Sequence, residues 1–371
     1  ARTEGVGPVS YRRLLKRYGS AGAALAALPG LARRGGRTEP PAIPSNAAAE
    51  REIAATARLG GRLLFSDRPD YPPLLALLDD APPVISVLGD AGALASRAVG
   101  IVGGRNASAN GQRMAETLAE ELAAAGLVVV SGMARGIDAA AHGGALRAGK
   151  TVAAVAGGLD IPYPAEHGEL QRRIAVSGAV VTEAPLGTAP QARHFPRRNR
   201  IIAGLSLGLV VVEAAPRSGS LITARLAQEM GRELFAVPGS PLDPRSRGSN
   251  DLIRQGAHLT ETLADVLDNL PDHPAQVGLG RIPLFARGPS AGLGEPEPSW
   301  EEPPEGPEEI EQVRLQMLEL ISPSPTAVDD LVRRCQFSPS AVIAALLELE
   351  LAGRVEMLPG NRVAFVSDPS A

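Results

Sequence analysis

The stretch Leu127-Val-Val-Val-Ser-Gly-Met-Ala-Arg-Gly-Ile-Asp-Ala-Ala-Ala-His-Gly-Gly-Ala-Leu-Arg-Ala-Gly-Lys-Thr-Val-Ala-Ala-Val155 reads as strand, glycine-bearing loop, helix and strand. Its two strand-like runs, Leu127–Val130 and Val152–Val155, are apolar throughout and do not alternate. A strand that is apolar on both faces belongs in a parallel sheet covered by helices on either side. Working outward, the unit repeats. Apolar runs at Val99–Val102, Ala179–Val181, Leu207–Val212 and Leu234–Val237 are separated by helical segments such as Ala109–Ala125, Ala165–Ser177 and Leu221–Met230. Upstream, Leu63-Leu64-Phe65, Tyr71-Pro-Pro-Leu-Leu75 and Pro83–Leu88 add strand, turn with helix, and strand. The expected fold is therefore α/β, an extended Rossmann-like doubly wound parallel sheet over residues 49–270.

Smaller pieces flank it. Residues 1–48 read as a small helical domain: Gly5-Val6-Gly7-Pro8 makes a tight turn, Val9–Tyr18 a helix, Gly19-Ser20 a stop, and Ala21–Leu28 a second helix ended by Pro29-Gly30. A Gly-Val-Gly turn between helices resembles a helix-hairpin-helix unit, and a simple packing domain fits equally; residues 36–48 read as linker. A Pro- and Glu-rich linker is expected over 271–308, extended because its acidic, proline-laden composition cannot build a core. Residues 309–371 suggest a winged helix, with helices at Glu309–Ile321, Thr326–Cys335 and Ser340–Gly353 and a hairpin turning at Pro359-Gly360-Asn361. The helix placed to read a duplex, Ser340–Leu351, carries Glu348 and Glu350 and no basic residue, which disfavours duplex reading and favours partner binding or self-association.

Composition narrows the function. The chain has 371 residues with 44% hydrophobic and 3% aromatic, so its core is built from Ala, Val and Leu. One cysteine, Cys335, excludes an intramolecular disulfide and a cysteine metal cage. No apolar run reaches the ~20 residues a span requires, which leads to the expectation of a cytoplasmic protein with no membrane partner. The net charge of −4 argues against indiscriminate nucleic-acid binding, yet residues 97–260 hold 18 basic against 13 acidic side chains, and the acid is concentrated at 261–309. A basic patch on the central domain survives the acidic total.

The most concentrated positive charge is His194-Phe-Pro-Arg-Arg-Asn-Arg-Ile-Ile-Ala-Gly204, preceded by Arg193. Pro196 suits a helix start, so the arginines crowd a terminus that is already positive. Such a place is poor for stability and good for docking a polyanion. Ligands of doubly wound sheets sit outside the carboxyl ends of the strands. Those positions here carry Gly103-Gly104-Arg105, Ser131-Gly132 with Arg135, Gly157-Gly158, Glu183, and Glu213 followed by Arg217-Ser218-Gly219-Ser220, so an anion site is expected on that edge. The G-x-G-x-x-G fingerprint and the Gly-Lys-Ser/Thr phosphate loop are both missing, which argues against NAD and against nucleotide hydrolysis by that route; no cofactor is expected. Asp138 and His142, four apart on one helix, suit a hydrogen-bonded pair better than a metal site without a third ligand. Glu183 and Glu213 suit orienting arginines or capping helices better than acid–base work.

The set Ile101-Val-Gly-Gly-Arg105, Ser131-Gly-Met-Ala-Arg-Gly-Ile-Asp138, Gly157-Gly-Leu-Asp160 with Tyr163-Pro164, Phe195-Pro-Arg-Arg-Asn-Arg-Ile-Ile-Ala-Gly204, Ser218-Gly-Ser220 and Gly248-Ser-Asn250 resembles the DNA-processing protein A family, DprA or Smf, over about 62–260. Gly104 departs from it, standing where the family usually has Thr or Ser. The resemblance implies a non-catalytic protein that binds single-stranded DNA, protects incoming strands and loads the RecA recombinase during natural transformation. It implies phosphate contacts from Arg105, Arg193, Arg197, Arg198 and Arg200, with Arg135 and Lys150 as further candidates. N–H groups are expected from Gly103, Gly104, Ser218, Gly219 and Ser220, and Phe195 and Asn199 are expected to shape the pocket or meet a base. A homodimer is implied, with Leu252, Ile253 and Leu259 the guessed surface, and single-stranded DNA-binding protein is a further candidate partner. The competing reading is a nucleotide-processing enzyme similar to phosphoribohydrolases, using Glu183 or Glu213, although their Pro-Gly-Gly-x-Gly-Thr loop is missing. A scaffold with a vestigial anion site is the third; the intact arginine cluster speaks against it.

Overall fold

A computed structural model describes residues 1–272 and 307–366, apart from 323, 336, 359 and 360, with only the backbone of 307–309. In chain order the elements are α1 (Pro8–Tyr18), α2 (Ala21–Arg34), α3 (Asn46–Arg58), β1 (Gly61–Phe65), α4 (Pro73–Ala76), β2 (Val84–Gly89), β3 (Ala98–Gly103), α5 (Ala109–Ala124), β4 (Val128–Ser131), α6 (Ile137–Ala148) and β5 (Thr151–Ala154). Then follow α7 (Gly168–Ser177), β6 (Ala179–Thr182), α8 (His194–Leu205), β7 (Gly208–Val212), α9 (Gly219–Glu229), β8 (Glu233–Ala236), α10 (Arg247–Arg254), β9 (His258–Leu259) and α11 (Leu263–Leu267). Beyond residue 306 lie α12 (Pro307–Leu320), β10 (Thr326–Ala327), α13 (Val328–Arg334), α14 (Pro339–Leu351), β11 (Val355–Leu358) and β12 (Arg362–Phe365). They form two compact units. One is Glu50–Leu78 with the chain from Val84; the other combines Ala1–Ala49, Asp79–Pro83 and the described residues from Pro307 onward.

The larger unit holds a nine-stranded sheet in the order β1-β2-β6-β5-β4-β3-β7-β8-β9. From β6 to β9 every pairing is parallel, while β2 joins β6 and β1 joins β2 antiparallel. Every residue of β4, β5, β6 and β7 is buried, as fully apolar strands require. On one face Leu118, Leu122, Ile137 and Phe235 pack with Val99, Val129 and Val210; on the other Met133, Leu159 and Ile174 pack with Ala153 and Val180. Strand order reverses between β3 and β7, so their connections diverge and leave a crevice at their carboxyl ends.

The terminal segments, separate domains in the sequence reading, pack as one unit. Leu14, Ala24, Leu28, Leu31 and Ala32 form a single buried cluster with Leu347 and Leu351 of α14. That packing explains one departure from expectation: α2 runs through Pro29 to Arg34, because its buried stripe Ala24-Leu28-Leu31-Ala32 outweighs the one hydrogen bond proline removes. Residues 36–48 are also not all linker. Helix α3 begins at Asn46, and the Ser45 hydroxyl accepts the Ala48 N–H at 3.2 Å in an N-cap arrangement. Helices α12, α13 and α14 with the three-stranded sheet β10-β12-β11 build the winged helix. Its turn residues Pro359-Gly360, and the Pro/Glu-rich linker apart from its two ends, lie outside the described residues.

Helix α14, the one that would read a duplex, has no open face to offer. Glu348 is 1% exposed and accepts from Arg34 Nε at 2.7 Å; Glu350 accepts from the Ser10 hydroxyl. Both acids are absorbed in packing against α1 and α2.

Candidate nucleic-acid interface

Parallel strands deliver their following loops to one edge, and here the loops after β3, β4 and β5 meet α8 around a cavity of about 360 Å³. Arg105 comes from the first loop, Gly132 and Arg135 from the second, Tyr163 and Glu166 from the third, and Phe195 and Arg198 from α8. Backbone strain gathers on the same edge. Met133 (φ 61°), Glu213 (φ 49°) and Arg217 (φ 63°) all adopt left-handed conformations just past strand ends. Non-glycine residues hold such angles only where surrounding structure imposes them.

Helix α8 starts without a side-chain cap and without an acidic residue in its first turn. Its arginines, alike in sequence, have three different fates. Arg193 and Arg197 are exposed, Arg198 is buried against the cavity, and Arg200 is buried in an ion pair with Glu183. Asn199 turns the other way, its Nδ2 3.5 Å from the Gly219 carbonyl at the start of α9. The far end of α8 is pinned by Arg232, which the sequence reading passed over. It is 9% exposed and donates to the carbonyls of Gly204 (3.3 Å) and Leu74 (3.2 Å), and burial lowers its pKa to about 10.

Around the Phe195 ring stand Arg105, with Cζ 5.2 Å from the centroid, Arg198 at 5.8 Å, and the Tyr163 ring at 5.7 Å between centroids. The arrangement combines cation–π contact with aromatic surface lining the cavity. Arg198 lies 3.9 Å from Asp138 Oδ2, and the two side chains are only 7% and 8% exposed. Desolvation dominates both: it lowers the Arg198 pKa and raises that of Asp138, and their mutual attraction restores only part. His142 stands in the same buried group. It does not bond Asp138, as the sequence spacing suggested; its Nδ1 pairs with the Thr151 hydroxyl at 2.7 Å. Burial, then Arg198 and His167, lower its pKa to about 3, so it is neutral. No group of side chains suited to a metal occurs among the described residues.

Several expected contributors do not join. Lys150 precedes β5, at the opposite edge of the sheet, and pairs with Asp90 at 2.7 Å. Gly103 and Gly104 serve packing. The Gly104 N–H donates to the Val212 carbonyl (3.3 Å), and a Cβ at Gly103 would fall 1.9 Å from that same oxygen, so this loop offers no open anion cradle. Arg135 lines the cavity but is already engaged with Glu166 at 2.5 Å. Ser218 leaves the start of α9 uncapped, its hydroxyl turned to Ser220 at 2.7 Å. Glu213 accepts the Ser108 N–H at 2.7 Å and its hydroxyl as well, tying the start of α5 to the end of β7. With Glu183 held by Arg200, both carboxylates of the enzymatic alternative are engaged in structural roles. Leu252, Ile253 and Leu259 sit at the far sheet edge, the first two half-buried and Leu259 49% exposed. What sequence reading missed was Tyr163 and Glu166 as cavity walls; their signal was position after β5, which marks a candidate without showing direction.

Comparison with known proteins gives one answer. A family model described as DNA recombination-mediator protein A matches residues 62–271, with models for a DprA-like N-terminal HHH domain matching 1–55 and a DprA winged helix domain matching 301–361. Protein Smf of Escherichia coli (strain K12) is 40% identical over 303 residues, covering 81% of this chain and 76% of that protein. DNA processing protein DprA of Bacillus subtilis (strain 168) is 41% identical over 228 residues, 61% of this chain and 77% of that one. Among solved structures, DNA processing protein A from Streptococcus pneumoniae aligns with TM-score 0.64 and 36% identity over 72% of this chain and 95% of that one. The DNA processing protein A structure from Helicobacter pylori, described for its single-stranded DNA binding mode, aligns with TM-score 0.52 and 30% identity over 57% and 97%.

Proposed function

This chain belongs to the DNA recombination-mediator protein A family, and from that premise we propose that it binds single-stranded DNA at the carboxyl edge of its parallel sheet without covalent chemistry. A DNA-processing, recombination-mediator role follows from the membership itself. The observation that carries the finer reading is the cavity in which Arg105, Arg198 and Tyr163 surround Phe195. Exposed Arg105, Arg193 and Arg197 meet phosphates; Phe195 and Tyr163 offer rings to a base; the uncapped start of α9 at Ser218-Gly219-Ser220 takes a further phosphate. Arg200 and Asn199 hold α8 in place. Single strands suit this edge because a splayed base enters a cavity that a stacked duplex cannot reach.

In this reading the protein protects incoming strands in the cytoplasm and loads RecA on them during natural transformation. It works as a homodimer through the edge bearing Leu252, Ile253 and Leu259, and two sites on one strand add avidity. Single-stranded DNA-binding protein is a further partner. No helix among the described residues is long and apolar enough to cross a membrane.

The test is fluorescence anisotropy with labelled single-stranded and duplex oligonucleotides across a salt series. Strong single-strand preference with a steep salt slope is expected. Equal affinity for duplex, or none for either, would remove the proposal.

A further inference from the structure

Arg198 is a buried cation short of partners. The side chain is 7% exposed, its Nε is buried with no hydrogen-bond partner, and its ion pair with Asp138 spans 3.9 Å, beyond hydrogen-bond reach. Asp138 meanwhile accepts the Ala134 N–H at 3.2 Å. Room for the guanidinium is made at the expense of a side chain: a Cβ on Gly132 would lie 1.2 Å from Arg198 Nη1. Neutral His142 adds no charge to the group. A donor fork lodged so deep without an acceptor is costly to the fold, so an acceptor arriving in the cavity has most to give there.

The walls identify that acceptor. Besides the arginines and Glu166, whose carboxylate is held by Arg135, the cavity is bounded by Val155, Ala156, Pro162, Tyr163, Pro164 and Phe195, apolar and aromatic walls that fit a flat base better than a hydrated phosphate. Phosphates find the exposed arginines outside. A guanidinium only donates, so it favours a base edge whose acceptors stand clear of amino groups. Guanine presents O6 with N7, and thymine and cytosine each present ring carbonyls. Adenine alone has no carbonyl oxygen, and its N7 stands beside the N6 amino donor, which repels a fork of N–H groups.

Resting on single-strand binding at this site, the geometry points to Arg198 as a specificity-determining residue that admits carbonyl-bearing bases and disfavours adenine. The preference is for an edge chemistry and not for one base, and it acts on whichever nucleotide is splayed into the cavity.

The experiment uses the full chain and labelled 12-mers of deoxythymidine, deoxyadenosine and deoxyinosine at one salt concentration, read by anisotropy, with inorganic phosphate as competitor. Inosine keeps the purine ring and replaces the adenine amino group by a carbonyl, so it separates edge chemistry from size. Thymidine and inosine oligomers should bind about tenfold tighter than the adenosine oligomer. Arg198→Met should bring all three within about twofold; Arg198→Lys, which keeps charge and loses the fork, should do nearly the same. Equal affinity for inosine and adenosine oligomers in the unaltered protein overturns the inference without needing a variant. So does a gap that survives in both variants, or displacement by phosphate alongside equal affinities, which would make the occupant a phosphate. Failure of every oligomer to bind would instead remove the single-strand reading beneath it, a distinguishable result.

Discussion

Gly132→Ala isolates the role of the Arg198 pocket position. The new Cβ would sit 1.2 Å from Arg198 Nη1, 2.4 Å from its Cζ and 2.7 Å from Asp138 Oδ2. Two of those three atoms belong to the end of a long side chain, so the guanidinium swings away and the backbone of β4 and α6 holds. Asp138, 6% exposed, then loses its nearby cation but keeps the Ala134 N–H and meets the loss by protonating more readily. Stability should fall by about 1–2 kcal/mol, the ordinary range for a core perturbation. Affinity should fall further. A hydrogen bond from a charged group contributes about 1.5–3 kcal/mol, so single-strand binding should weaken by roughly 10- to 150-fold. The assay pairs thermal unfolding with anisotropy on a thymidine 12-mer at fixed salt. A folded Gly132→Ala protein that binds like the unaltered one refutes the reasoning, since the guanidinium cannot then be needed where it lies.

Other substitutions separate charge from fold. Arg105→Ala, at an exposed position, should weaken binding to all base compositions alike and reduce the salt slope by about one, seen in the same titrations. Arg200→Ala should act through stability: it removes a largely buried ion pair with Glu183, costing about 3 kcal/mol in urea unfolding, and a variant of normal stability with lost binding would contradict that assignment. Burial pushes the Glu350 carboxyl up to about 7, opposed by Ser10 and Arg13 and reinforced by Glu356. The unfolded chain releases that proton near 4.3. Between there and 7 the folded state holds more protons, so the terminal unit's stability falls as pH rises through this window and levels above it; Glu350→Gln should flatten the slope in amide exchange of α14. His142, lowered to about 3 by burial, has the opposite sign. The unfolded chain takes up protons below about 6.5, so exchange in β5 and α6 should accelerate on acidification from there toward 3.

The parallel sheet was legible because β4 and β5 are apolar without alternation, a pattern that only a sheet covered on both faces supports. The edge of the sheet that carries the cavity was legible from topology alone, and Arg105 and Phe195 both line it. Direction was not. Arg197, Arg198 and Arg200 differ in burial because a helix turns about 100° per residue, and which turn faces the cavity depends on how α8 lies against β3 and β5. Lys150 misled because charge and glycine neighbours look alike at either end of a strand; only the strand's polarity sends it to the opposite edge. Pro29 misled because a local breaker was weighed without the packing of Leu28 and Leu31 that carries the helix through it.

Burying charge is costly wherever it occurs, and the two units treat that cost in opposite ways. On α14, Glu348 receives Arg34 and Glu350 receives the Ser10 hydroxyl, with Arg13 drawing on its charge. Each acid accepts a donor from α1 or α2, although Glu348 Oε2 and Arg13 Nη1 stay buried without hydrogen-bond partners, and the product is a fold in which α1 and α2 stay on α14. On α8, Arg198 is as deeply buried, yet its carboxylate stands off at 3.9 Å, its Nε has no acceptor, and the wall opposite is a cavity. A cation left short of acceptors destabilises the empty protein and has no structural return to offset it. The same cation becomes favourable once a polar edge fills the gap. What separates the two clusters is geometry: on α14 each acid is reached by a donor from α1 or α2, whereas on α8 the Arg198 guanidinium stands beside a cavity with its carboxylate out of hydrogen-bond reach.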